Sequence, residues 1–209
     1  MSKTQDFEQQ DKEYIANTYG RFNVCFEKGK GSLLWDVEGK EYIDLGSGIG
    51  VTAFGVDDDE WSKAVIAQTH ALNHISNLYY SVPQIKLAEL LCKRTGMKKV
   101  FFCNSGAESN ECAIKAARKY SHDKYGDGRN VIVTLVNSFH GRTVTTLSAT
   151  GQDVFHQHFF PFTEGFVHTP ANDIDAALKV LANPAVCAIM MEPIQGEGGV
   201  MPLDKEFVQ

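Results

Sequence analysis

Four short apolar runs, VFFC at 100–103, VIVTLV at 131–136, FVH near 167 and AIMM at 188–191, alternate with stretches of helical spacing. Runs this short suit buried strands, and the helical stretches between them supply the crossovers that parallel strands require. The alternation predicts an α/β domain with a largely parallel sheet. One helix is expected to run to about Tyr120 and another to begin at Ile174.

The first part of the chain is patterned differently. Residues from about Asp6 to Asn17 read as a polar helix ended near Gly20, and SLLWD and EYIDL flank the turn Val37-Glu38-Gly39-Lys40 as a small hairpin. From Asp57 the spacing of Trp61, Ala64, Val65, Leu72 and Ile75 fits one helical face, with three aspartates at its positive end. A further helix is expected from about Pro83, with Ser81 ahead of it, to Gly96. Pro202 to Gln209 read as the opening turn of a helix with Asp204 as its cap.

At about 150 residues per domain, the chain amounts to roughly 1.4 domains. A hydrophobic content of 43% against 22% charged is enough to bury a core and argues against disorder. With 20 Lys and Arg against 26 Asp and Glu, the net charge of −6 disfavours nucleic acid or an anionic membrane as partner. The longest apolar stretch, Val186 to Met191, is far short of the roughly 20 residues a membrane span needs. The start, MSKTQDFEQQDKE, has no apolar signal region. Cys25, Cys92, Cys103, Cys112 and Cys187 are scattered and odd in number, which suits a reducing compartment, so a cytoplasmic protein is expected.

Three segments carry candidate chemistry, each directly after an apolar run and so at the end of the sheet where ligands of α/β folds gather. VFFCN leads into Ser105-Gly106-Ala107-Glu108 and an Ala-rich helix. Gly106 permits close backbone approach, and free N–H groups in the first helical turn suit a phosphate. The same Ser105 and Glu108 also spell a capping box, which needs no ligand. In Phe139-His140-Gly141-Arg142-Thr143, the ring can stack on a planar cofactor and the guanidinium can bind a carboxylate; the alternatives are a core Phe139 and a surface ion pair for Arg142. In Glu192-Pro193-Ile194-Gln195-Gly196-Glu197-Gly198-Gly199, two carboxylates and an amide leave the same end of the sheet, or else form a solvated glycine turn. Jointly the three favour a site.

Other chemistries fall away. His70 with His74, and His156 with His158 on a supposed strand, lack a third ligand, so no metal site is expected. Ser105 lacks a G-x-S-x-G surround, and no Walker A or dinucleotide-binding glycine pattern occurs.

LLWDVEGKEYIDLGSGIGV, VFFCNSGAESNECAIKAARKY, SFHGRTVTTLSATGQ, GFVHTPANDIDAAL and EPIQGEGGVMP resemble the class III pyridoxal-phosphate-dependent aminotransferases from about Gly31 onward. ATGQ followed by a short spacer to NDI is most similar to the acetylornithine branch. The resemblance implies a fold-type I transferase. Residues 1–50 would be an N-terminal small-domain segment, and 51–209 the first part of the cofactor-binding large domain with a mixed sheet. It implies pyridoxal 5'-phosphate as cofactor, with its phosphate at Ser105, Gly106 and Ala107, its ring on Phe139 beside His140, and Glu192 near it. Arg142 matches the arginine that takes the substrate α-carboxylate, and Glu197 a glutamate that pairs with a distant arginine beyond this chain.

The implied substrates are N-acetylornithine with 2-oxoglutarate or glutamate, and the implied assembly is a homodimer. Ornithine, succinylornithine or 4-aminobutyrate as donor, and a non-catalytic chain retaining only the phosphate cradle, are the alternatives. The aspartate and lysine that such enzymes use at the cofactor lie beyond the equivalent of Gln209, so no catalytic residue is assigned here. By this resemblance the chain looks like the amino-terminal half of a protein about twice as long, with further strands expected between VFFC and AIMM. GVDDDEW stands where many relatives have Gly-His-x-His-Pro.

Overall fold

A computed structural model describes residues 2–209, and its contacts divide them into two compact units that part between Lys86 and Leu87. In the first unit, helix α1 (Lys3–Tyr14) opens on a capping box: Gln5 N donates to Ser2 Oγ at 3.2 Å, and Ser2 N donates to Gln5 Oε1 at 2.9 Å. This cap satisfies two of the first-turn donors and starts the helix three residues earlier than the apolar spacing indicated. Strands β1 (Phe26–Lys30), β2 (Leu33–Asp36) and β3 (Glu41–Ile43) form an antiparallel sheet in that order. The expected hairpin is β2–β3, and β1 is an addition to it. Asp36, buried, ties the turn, accepting from Glu38 N at 3.1 Å, Lys40 N at 2.8 Å and Tyr42 OH at 2.9 Å.

The short turn α2 (Ser47–Gly50) places Gly48 and Ile49 in left-handed backbone conformations. In α3 (Asp59–Leu72), Asp58 Oδ1 accepts from Trp61 N at 2.8 Å. The run of aspartates therefore supplies its own helix cap. Helix α4 spans Val82–Thr95.

The second unit holds the parallel sheet. Its elements are α5 (Gly106–Tyr125), β4 (Val131–Leu135), α6 (Val144–Ala149), β5 (Phe166–Thr169), α7 (Ile174–Leu181) and β6 (Val186–Ile189). A two-stranded ribbon, β7 (Ile194–Gln195) and β8 (Met201–Pro202), and the turn α8 (Lys205–Val208) follow. The strand order is β5-β4-β6, with both pairings parallel. Ile132, Val133, Thr134 and Leu135 of β4 are all fully buried, which is why this central strand reads as a continuous apolar run. Ile114 of α5 and Ala149 of α6 pack with Ile132, and Ala117, Phe166, Cys187, Ala188 and Met190 surround them. Among the described residues, no helix is long and apolar enough to cross a membrane.

One expected strand is absent. VFFC at 100–103 joins no ladder, because none of the described strands runs alongside to take its N–H and C=O groups, and Phe101 is exposed. His156 and His158 follow a single 3-10 turn, Asp153–Phe155, and do not alternate on a strand.

The chain returns from α6 to the end of β4 at Gly151. Gly151 N donates to the Ser138 carbonyl at 3.2 Å, and Asn137 N donates to the Gly151 carbonyl at 2.8 Å. A Cβ on Gly151 would sit 2.0 Å from the Leu135 carbonyl oxygen, which is backbone and has no room to yield. Gly151→Ala is therefore expected to destabilise the protein by at least about 2 kcal/mol, as over-packing of a closed site does. Urea denaturation of the variant beside the parent checks this, and coincident curves would mean that the segment shifts freely.

Candidate functional site

The segment leaving β4 is turned sharply. Asn137 adopts a left-handed φ of 63°, and Ser138 is buried with its Oγ accepting from Gly151 N at 3.1 Å. His140 is 4% exposed; its N–H donates to Thr150 Oγ1 at 3.0 Å and its carbonyl accepts from Asn110 Nδ2 at 2.8 Å. Its ring Nε2 is buried without a partner among the described residues. Gly141 has φ +132°, and a Cβ there would lie 2.6 Å from Thr146 Oγ1 and 2.7 Å from the Ala107 Cβ. Glycine at 141 thus lets the Phe139–Arg142 segment lie directly against the first turn of α5.

That first turn is capped by Ser105, whose Oγ accepts from Glu108 N at 3.1 Å. Glu108 bonds the N–H of Asn104, at 2.8 Å, in place of the Ser105 N–H that a full capping box uses. Among the described residues the N–H groups of Gly106 and Ala107 find no acceptor, and a Cβ on Gly106 would meet nothing within 4 Å. Two backbone donors at the positive end of a twenty-residue helix are therefore left free.

The third segment is stitched to the second at four points. Phe139 N donates to Glu192 Oε1 at 2.9 Å, and Gln195, buried, donates its amide to the Val136 carbonyl at 2.9 Å. Gly198 lies so close that a Cβ would come within 2.5 Å of the Asn137 carbonyl oxygen. Gln152 Nε2 donates both to the Ser138 carbonyl, at 3.2 Å, and to Glu197 Oε2. The other oxygen of Glu192 accepts from Gly196 N at 3.3 Å, so this carboxylate braces its own loop as well.

Phe139 is half-buried and meets Phe155 edge-on, with ring centroids 5.8 Å apart. The Arg142 guanidinium carbon lies 4.2 Å from the centre of the Phe155 ring and 5.6 Å from that of Phe139. Among the described residues, Arg142 forms no ion pair. The structure thus brings Ala107, Phe139, His140, Arg142, Glu192 and Glu197 into one network of direct or one-step contacts. Ser105 and Gly106 enter it through the start of α5. Gln152 and Phe155 escaped assignment from sequence; ATGQ was the only pointer to Gln152, and nothing near Phe155 distinguished it from core. Among the described residues, no group of three or more His, Cys, Asp or Glu has the arrangement of a metal site.

The chain matches the family model for aminotransferase class-III over residues 14–209. The chain belongs to the class-III aminotransferases. An acetylornithine aminotransferase of Haemophilus ducreyi is 56% identical over 201 residues, 96% of this chain and 51% of that protein. One from Gloeobacter violaceus is 47% identical over the whole chain and 51% of its own length. Among solved structures, the ornithine aminotransferase from Toxoplasma gondii superposes with a TM-score of 0.93 at 28% identity, covering 100% of this chain and 50% of that one. The N-acetylornithine aminotransferase from Stenotrophomonas maltophilia gives a TM-score of 0.77 at 36% identity, covering 96% and 48%. The chain spans about half the length of the curated relatives it matches. The mixed α/β fold with a parallel sheet agrees with part of a fold-type I domain.

Two histidines of this class-III unit, His140 buried and His168 half-buried, make its stability depend on pH. Burial pushes the His140 imidazole below its ordinary value of 6.5, against the pull of the Glu192 carboxylate. Burial lowers His168 in the same way, and its Nε2 is also without a partner. Both rings therefore fold as neutral groups, and below about pH 6.5 the unfolded chain binds protons that the folded chain refuses. Their contribution is level above that pH and is lost as the pH falls towards the depressed folded values. Urea midpoints at about pH 7.5 and about pH 5.5 should differ less in His168→Gln than in the parent; an equal drop in both would show that His168 protonates freely in the fold.

Proposed function

We propose that the complete protein is a cytoplasmic, homodimeric acetylornithine aminotransferase that exchanges an amino group between N-acetylornithine and 2-oxoglutarate in arginine biosynthesis. The observation that carries this reading is the convergence of three loops on one end of the parallel sheet, with Arg142 spread over two aromatic rings and unpaired. The similarity to several acetylornithine aminotransferases supports the choice of donor. Ornithine as donor is the second reading, favoured by the high TM-score of the Toxoplasma gondii enzyme, whose identity to this chain is half that of the Haemophilus ducreyi relative.

The residues present fit pyridoxal 5'-phosphate. The free N–H groups of Gly106 and Ala107, beside the Ser105 hydroxyl, suit the phosphate, and the partly open face of Phe139, next to His140 in the chain, suits the ring. When bound, the cofactor supplies the electron sink that lets an amino group be moved. Glu192 fixes the Phe139 backbone and so the attitude of the stacking ring. Arg142, with both forks of its guanidinium available, binds the substrate α-carboxylate and orients the reacting carbon. Glu197 faces the end of the substrate that differs between the acylated donor and the dicarboxylate acceptor. No lysine of this chain is assigned a catalytic role. The proposal includes residues 1–50 as a small-domain segment and 51–209 as the first part of the cofactor-binding domain, whose remaining strands would run beside 100–103.

Two experiments test this. In the protein extended to the length of its relatives, Arg142→Ala should weaken carboxylate-bearing substrates by about 1.5–3 kcal/mol, the size of a lost charged hydrogen bond, while cofactor affinity holds. Steady-state kinetics and a cofactor titration of the same variant read both quantities, and unchanged kinetics would remove Arg142 from the site. In the 209-residue chain, titration with pyridoxal phosphate, borohydride reduction and peptide mapping should label no single lysine stoichiometrically. One fully labelled lysine would overturn the assignment of none.

A further inference from the structure

Gln152 lies on a base that cannot shift. Its neighbour Gly151 is pressed against the Leu135 carbonyl and is bonded in both directions to Ser138 and Asn137. From that base the Gln152 amide nitrogen reaches two acceptors from different loops, the Ser138 carbonyl and the Glu197 carboxylate. The amide orientation is dictated by chemistry: both partners only accept, so the NH2 end alone fits between them, and its two protons serve one each. Glu197 is otherwise exposed and has no cation beside it among the described residues. A side chain of this length, so exposed, has many rotamers open to it, and Gln152 selects one.

We infer that Gln152 is a positioning residue for Glu197, drawing that carboxylate aside so that the site accepts a substrate with a second carboxylate. This rests on the reading of Glu197 under the proposed function. A dicarboxylate brought beside a freely placed Glu197 meets like charge, whereas the acylated donor presents a neutral group there. Loss of Gln152 therefore acts on one substrate class and spares the other. A residue needed only for folding would depress both.

The test uses the protein extended to the length of its relatives, with the two half-reactions followed separately by cofactor absorbance. Gln152→Glu keeps the side-chain size and sets a second carboxylate against Glu197. It should raise the KM for 2-oxoglutarate by about tenfold or more, the effect of a lost hydrogen bond to a charged group, with kcat and the N-acetylornithine half-reaction changed by less than about threefold. Gln152→Ala should move in the same direction by less. Adding Glu197→Gln to Gln152→Ala removes the charge that residue 152 no longer holds aside and should return most of the 2-oxoglutarate affinity. Equal loss in both half-reactions, no loss in either, or no recovery in the double variant overturns the inference alone. An unsubstituted protein that transfers an amino group with neither substrate overturns the functional reading, and the inference with it.

Discussion

The close approach of Gly151 to the Leu135 carbonyl is the contact on which the site depends. Strand β4 is buried on both faces and cannot move, and the chain that leaves it at Val136 is caught again by Gly151 fifteen residues later. Between these points lie the Phe139–Arg142 segment and helix α6, closed into a loop whose two ends are one rigid piece. Thr150 then holds the His140 N–H, Ser138 holds the Gly151 N–H, and Gln152 reaches across to Glu197. Three of the site's orienting contacts thus come from consecutive residues, 150 to 152. Replacing the glycine displaces all of them together.

The sheet and the three loops were legible because they follow from short-range rules. Val131–Leu135 reads as a buried strand because every side chain on it is apolar or a β-branched threonine, and the run ends just before Asn137, where the backbone turns left-handed. The helix starts were legible wherever a short polar residue stood at the cap, as with Ser105 and Asp58, and were misplaced at α1, where the box formed by Ser2 and Gln5 lies ahead of any apolar spacing.

What could not be read depends on partners distant in sequence. VFFC has strand composition and forms no ladder, since composition supplies a preference and pairing needs a neighbour. Strand β1, FEKGK, has almost no strand signature, yet it pairs with β2 through Gly29, where a Cβ would crowd the Leu34 side chain at 2.7 Å. Phe155 was indistinguishable from a core aromatic until its ring was found beneath Arg142. Gln152 and Glu197 are 45 positions apart, and only the folded loops bring amide to carboxylate.

The choice of an amide as partner for Glu197 has a physical logic of its own. A lysine or arginine at 152 would set a full opposite charge against the carboxylate and compete with any other cation brought to it. A neutral donor gives a directional bond worth about 1.5–3 kcal/mol to a charged acceptor, enough to select one rotamer and too little to trap it. The bond leaves the negative charge in place, so a cation brought by substrate or by another part of the protein still attracts Glu197 and can take it over. Under the proposed function Glu197 changes partners between two substrates, and a holder weaker than its alternative serves such a carboxylate. Gln152 meets that requirement, and its own second bond to the Ser138 carbonyl keeps it in place when Glu197 leaves.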